Sequence, residues 1–130
     1  LDLTLRRADS YPQVTMVNRV YLKLRYLLLF AEKNPGLTRV LTGEALVYED
    51  ASLSRGKNEI LRKICESIKN SLVLASVNRE ISGSFDAAAR AKLMLDFVMA
   101  QWLQFSQSGF KEQPTAFLDQ ASPVLFSFVG

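Results

Sequence analysis

The chain has 130 residues, a mass of 14.6 kDa, 48% apolar and 22% charged residues, six glycines, four prolines and a formal charge of +3. Those values fit one globular domain with a sizeable core and exclude disorder and low complexity. Histidine is absent and cysteine occurs once, which excludes a Ser-His-Asp or Cys-His apparatus, a zinc site built from several such ligands, and a disulfide within the chain.

The lone cysteine favours a reducing, cytosolic setting, and Cys65, between Ile64 and Ile68, reads as a small core residue. The longest apolar run, Tyr26–Ala31, is far too short for a membrane span. Leu1-Asp2 does not open a secretory signal, and the lack of an initiator Met leads us to expect a segment of a longer chain. Charge is uneven: residues 1–70 hold twelve Lys/Arg against eight Asp/Glu, and residues 71–130 hold four against five. DNA binding through this region would call for a stronger basic stripe, so the positive half suits an acidic peptide or protein partner.

In chain order, Leu1, Leu5 and Ala8 predict the end of a helix, broken at Ser10-Tyr11-Pro12. From Val14 to Lys33, apolar residues at Val17, Val20, Tyr21, Leu24, Leu27, Leu28 and Ala31 take the three- and four-residue steps of a helix face. Pro35 stops that helix and suits the first position of the next, with Asn34 as its expected cap. That third helix is expected to reach about Glu49, with Leu37, Leu41, Ala45 and Tyr48 on one face; Gly43 inside it costs about 1 kcal/mol and implies a close neighbour. Asp50 or Ser52 opens a fourth helix to about Glu80, striped by Leu53, Ile60, Ile64, Ile68, Leu72 and Ala75. Ser82-Gly83-Ser84 is a loop, and Asp86 caps the fifth helix.

In Ala87–Ser106 the apolar residues Leu93, Met94, Leu95, Phe97, Val98, Met99, Ala100, Trp102, Leu103 and Phe105 leave little room for a wet side, and Lys92, Asp96, Gln101 and Gln104 are what interrupts them. Such a helix must be covered twice, once by the domain's own core and once, on this reading, by a second copy of the chain. Ser108-Gly109 ends it, Gln113-Pro114-Thr115 opens the last helix, and Pro123 is expected to bend that helix. The expectation is an all-α domain of six helices without repeats, dimerising through its last two helices in a four-helix bundle. The interface residues expected are Met94, Phe97, Val98, Gln101, Trp102, Phe105, Leu118, Leu125 and Phe126.

The run Glu32-Lys33-Asn34-Pro35-Gly36-Leu37-Thr38-Arg39-Val40-Leu41-Thr42-Gly43, followed by Ala45-Leu46, resembles the SlmA family of nucleoid-occlusion factors within the TetR-type regulators. A second block, Phe110-Lys111, Pro114-Thr115, Asp119 and Pro123, supports the resemblance, which covers essentially the whole chain. It implies a single C-terminal, homodimeric, all-α domain over residues 1–130, with 1–9 the end of a helix connecting to a helix-turn-helix domain missing from this sequence. It implies a cytoplasmic, nucleoid-associated protein with no enzymatic activity, cofactor, metal or membrane contact. Through the missing domain it would bind palindromic DNA, and on DNA it would antagonise polymerisation of the division protein FtsZ.

The same resemblance places the FtsZ C-terminal tail near the connecting helix and the helix that ends at the Asn-Pro-Gly turn. By position, Arg6 and Leu27 match family residues of that contact, Lys33 keeps the charge of the usual arginine, and Asn34 matches outright. Phe30 stands where the family can carry glycine, and its ring fills part of the groove. The residues themselves add Arg19 and Lys23, four apart with Arg25 nearby. Like charges at that spacing disfavour a helix, and an acidic peptide lying along it would offset their repulsion. Two rival readings are weaker. Glu44, Glu49 and Asp50 could suggest a cation site but lack further ligands. The Met and aromatic residues from Met94 to Phe105 could line a pocket in the ligand-sensing domain of an ordinary TetR-type repressor, which would need an enclosed cavity of roughly 300–1,000 Å³.

Overall fold

The structure is a computed structural model that describes residues 2–9, 15–42, 51–81 and 85–127, giving only the backbone course of 2–3 and 51–54. Every regular element among the described residues is helical: α1 (Asp2–Asp9), α2 (Met16–Lys33), α3 (Pro35–Leu41), α4 (Ala51–Val77), α5 (Ala87–Gln107), a short 3-10 turn (Pro114–Phe117) and α6 (Leu118–Leu125). No described helix is long and apolar enough to cross a membrane.

Helix α2 is central, packing on α1, α3, α4, α5 and the 3-10 turn. Burial on so many sides explains the unbroken apolar run Tyr26–Ala31 within it. Its start is fixed twice. The Thr15 hydroxyl accepts the Asn18 N–H at 3.1 Å, an N-cap of the usual kind. The Glu80 carboxylate accepts the Met16 and Val17 N–H groups at 3.1 and 3.0 Å, placing negative charge at the positive end of the helix dipole. Glu80 reaches that position because α4 closes in a left-handed turn: Arg79 has φ 61°, and the Glu80 N–H donates to the Ala75 carbonyl at 2.9 Å. This is the Schellman arrangement, made here by a residue other than glycine.

The core lies between α2, α4 and α5. Leu24, Leu27, Leu28 and Ala31 meet Ile64, Ile68 and Leu72 of α4 and Met94, Val98 and Trp102 of α5, all essentially without solvent exposure. Trp102 is the largest side chain there, and its indole N–H donates to the Leu27 carbonyl at 3.1 Å, satisfying the one polar atom that its burial would otherwise strand. Cys65 packs only partly against this core and stays half-buried; burial pushes its thiol above the ordinary value.

Several expectations are corrected. Helix α3 ends at Leu41, with Thr42 as its C-cap, rather than running to Glu49; Gly43, Glu44, Ala45, Tyr48, Glu49 and the candidate caps Asp50 and Ser52 lie outside the described residues or side chains. Leu41 is buried but Leu37 is more than a third exposed. Asn34 does not cap α3 with its side chain. Its Nδ2 donates backwards to the Phe30 carbonyl at 2.8 Å, satisfying one of the terminal carbonyls of α2. The Asp86 cap is as expected, accepting the Ala89 N–H at 3.0 Å. Pro123 sits inside α6, two residues before its end.

Helix α5 resolves into two stripes. Ala91, Met94, Leu95, Val98, Trp102 and Phe105 face the core and are buried, whereas Leu93 is 58% exposed. Met94, Val98, Trp102, Phe105 and Leu118 are therefore interior residues of one protomer and offer almost no surface for a second copy to cover. Gln101 is buried as well. Of the expected interface residues, Phe97, Leu125 and Phe126 are half-buried. The outward stripe of α5 is instead Leu93, Phe97, Ala100 and Gln104, one position off the expected one. Phe97 meets Phe117 there at a ring-centroid distance of 6.1 Å, and Phe117 and Val124 are exposed.

Candidate partner-binding groove

Helices α1 and α2 run antiparallel, and between them lies a surface groove. Its register is visible in three contacts along α1. Asp9 pairs with Lys23 at 3.2 Å. The Arg7 guanidinium lies 4.8 Å from the Tyr26 ring centroid, within cation–π range. Thr4 and Arg7 form one wall of a cavity of 120 Å³ whose other wall is Tyr26, Leu29, Phe30, Lys33 and Asn34. The groove therefore combines aromatic faces with cationic rims.

The acids nearest to it are already engaged. Asp9 pairs with Lys23, and Glu32 accepts the Thr115 hydroxyl and N–H at 2.6 and 3.1 Å, tying the end of α2 to the 3-10 turn. With Arg6, Arg7 and Lys33 exposed, the described side chains at the mouth of the groove are net positive. Asn34 is held by its bond to Phe30 and by its carbonyl, which accepts the Thr38 hydroxyl at 2.8 Å. These bonds fix the corner where α2 ends.

The structure brings together three of the sequence-derived candidates, Phe30, Lys33 and Asn34. Arg6 is exposed on α1 but does not line the cavity. Leu27 has no exposure at all; it faces Trp102 and the core, so its side chain cannot touch a partner. Lys23 is also interior, with 3% exposure. Its ammonium donates to the Ser67 carbonyl, the Ser67 hydroxyl and the Ser71 hydroxyl at 3.1, 2.9 and 2.8 Å, besides pairing with Asp9. Burial lowers the Lys23 pKa, Asp9 opposes that shift and the nearby Arg19 adds to it. The Arg19–Lys23 repulsion is thus met inside the protein by Asp9, not by an acidic peptide. Arg19 is half-buried and lines a cavity beside this cluster.

Arg7 and Tyr26 are functional candidates that the sequence alone did not single out. Their signal was present, since Tyr26 is seven residues from Lys33 and so on one side of α2, but it needed the α1 register to be read. A second, larger cleft of 460 Å³ is lined by Gln101, Gln104, Lys111, Glu112, Gln113, Ala116 and Phe117. It opens on the surface and is not the enclosed cavity of a ligand-sensing domain. Among the described residues no group of three or more acids or cysteines could hold a metal ion.

Comparison with known proteins agrees with this architecture. Residues 14–129 match the model of the SlmA-like domain described as a tetracyclin repressor-like C-terminal domain, a regulator's domain and not an enzyme's. The chain is 36% identical over 104 residues to a protein named nucleoid occlusion factor SlmA from Shewanella frigidimarina, covering 80% of this chain and 53% of that protein. It is 36% identical over 99 residues to a protein of the same name from Idiomarina loihiensis, covering 76% and 50%. The chain thus spans about half the length of these curated relatives. A match over nearly all described helices, on an all-helical fold, places this chain in the SlmA-like C-terminal domain family of tetracyclin repressor-like proteins.

Proposed function

We propose that the chain is the C-terminal domain of a DNA-binding nucleoid-occlusion factor, and that its α1–α2 groove takes the acidic C-terminal tail of FtsZ. The observation that carries this reading is the meeting of Arg7, Tyr26, Phe30, Lys33 and Asn34 around one groove at the Asn-Pro-Gly corner. Cationic rims attract an acidic segment, aromatic floors take its apolar side chains, and a short extended or helical peptide is the class of ligand that such grooves hold. The work is done by binding alone. Tails held on a DNA-bound protein are withdrawn from ring assembly over the nucleoid, where the full protein would reside.

The active form on this reading is a homodimer, which matches a palindromic DNA site. Its interface is built on the outward stripe of α5 with α6: Leu93, Phe97, Phe117 and Val124, flanked by the half-buried Leu125 and Phe126. A synthetic peptide of the FtsZ C-terminal tail, titrated into the protein and followed by fluorescence anisotropy, tests the groove. Saturable binding that weakens with salt and is lost in Lys33→Glu is expected. Equal affinity in Lys33→Glu and wild type would remove the groove from the reading.

A further inference from the structure

The interior position of Lys23 is not needed for packing. A Leu or Met there would fill the space without the desolvation penalty of an ammonium ion. What the ammonium does is join three helices at one atom. Nζ sits on α2, bonds two hydroxyls and a carbonyl of α4, and pairs with the last residue of α1. Helix α1 is short and packs chiefly on α2, with Leu5 and Ala8 as its buried apolar anchors among the described side chains. Two small apolar contacts let a helix of two turns slide or roll. An ion pair at its end fixes both motions, because Asp9 can meet Lys23 in only one register and one azimuth.

That register is the one that defines the groove. Lys23, Tyr26, Phe30 and Lys33 occupy successive turns on the side of α2 that faces α1. Asp9, Arg7 and Thr4 descend α1 in the opposite sense. The Asp9–Lys23 pair stands at one end of this register, and Thr4 and Lys33 line the cavity toward the other. We infer that Lys23 is a positioning residue for the groove: anchored on α4 by Ser67 and Ser71, it holds α1 through Asp9 and so sets where Arg7 and Thr4 stand against Tyr26 and Phe30. The inference builds on the proposed function, since it assigns the groove its hinge end, but the pin itself can be measured without any partner.

Asp9→Asn and Lys23→Met are compared with wild type, alone and together. Asp9 is 47% exposed, so Asp9→Asn tests the pin with little change in packing; the Lys23 ammonium loses its counter-charge but keeps its bonds to Ser67 and Ser71, and this variant keeps the test open should Lys23→Met fail to fold. Two readouts use the free protein: amide hydrogen exchange of Leu5–Asp9, and the side-chain proton shifts of Arg7, which the Tyr26 ring displaces while it is stacked. Both variants should speed α1 exchange by about tenfold, as loss of a hydrogen bond to a charged group implies. They should also return the Arg7 shifts toward those of an unstacked arginine, with exchange in α4 and α5 unchanged in Asp9→Asn. The double variant should do no more than the larger single one. Wild-type exchange and Arg7 shifts in Asp9→Asn would overturn the inference. The third readout is the FtsZ tail peptide, whose affinity should fall by a similar factor in Asp9→Asn. Undiminished affinity with a loosened α1 overturns the link between pin and groove. Failure of wild type to bind the peptide refutes the proposed function, and the two partner-free readouts then decide the pin by themselves.

Discussion

Leu27 offers the sharpest separation between a core residue and a contact residue, because the family resemblance places it at a partner contact and its burial forbids one. Truncation to alanine removes three carbons from a side chain with 0% exposure, in the same core cluster as Trp102, Ile64 and Met94. Buried Leu→Ala changes cost about 3–5 kcal/mol, depending on how far the site collapses. Trp102 is a large neighbour held by its bond to the Leu27 carbonyl, so it cannot move in without breaking that bond, which argues for a value above the middle of the range. For a domain of this size such a loss lowers Tm by roughly 10–20 °C, against a total stability of about 5–15 kcal/mol. The assay is a thermal melt by far-UV circular dichroism, paired with peptide binding at a temperature well below the melt. Leu27→Ala should melt early yet, while folded, bind the peptide within about twofold of wild type, since the lining of the groove is untouched. A variant that melts like wild type but loses the peptide would refute the burial argument outright, because it would show the leucine side chain reaching the partner.

The other predictions use residues in different roles. Lys33→Glu reverses an exposed charge at the groove mouth; peptide affinity measured by anisotropy at low salt should fall about tenfold or more, with Tm moving less than about 2 °C. The folded-state pKa of Lys23 lies below 10.5, through burial opposed by Asp9 and assisted by Arg19. The unfolded chain therefore binds more protons between the two values, and the penalty for the buried ammonium is full below that window and relieved as pH rises through it. Denaturant titrations should accordingly show wild type gaining stability relative to Lys23→Met as pH rises toward 10.5; a pH-independent difference contradicts this. Arg79 holds φ 61°, so Arg79→Gly should relieve about 1 kcal/mol of backbone strain and raise Tm by a few degrees in the same melts. Phe117→Glu, placed on the outer α5–α6 surface, should convert a dimer into a monomer by sedimentation velocity at micromolar concentration. A wild-type protein that is already monomeric there defeats the proposed interface.

Helix existence was legible because periodicity is a local property. The stripes of α2, α4 and α5 lie within single helices, and Asp86 announced its cap by type and place. Helix ends were less legible. Gly43, directly after the Thr42 cap, is the residue type that ends helices, but the sequence alone also tolerates it inside a longer α3. The turn at Arg79 uses a residue that no composition rule would nominate, since the left-handed position favours glycine. In α5, periodicity identified a helix apolar all round but not which arc faces inward. A shift of one position exchanges Met94, Val98 and Phe105 for Leu93, Phe97 and Gln104, and only packing against α2 and α4 settles it. The pairing of Phe97 with Phe117 then shows where the leftover apolar surface went.

The groove shows the same limit at the level of single residues. Matching by position transfers location in the fold, but accessibility depends on neighbours that alignment does not display. Lys33, Asn34 and Phe30 line one surface cavity because they sit at the Asn-Pro-Gly corner, where the chain must surface to turn. Leu27, only three residues earlier, is covered by Trp102 from a helix far along the sequence. Lys23 inverted its reading entirely: a charge run on one helix looks solvated until an aspartate from α1 and two serines from α4 converge on it. Those partners are distant in sequence, and serine and aspartate are among the commonest surface residues, so nothing local marks them as ligands for an ammonium ion. The positive character of the groove accordingly rests on Arg6, Arg7 and Lys33, because the charge on Lys23 is already spent on holding α1 in place.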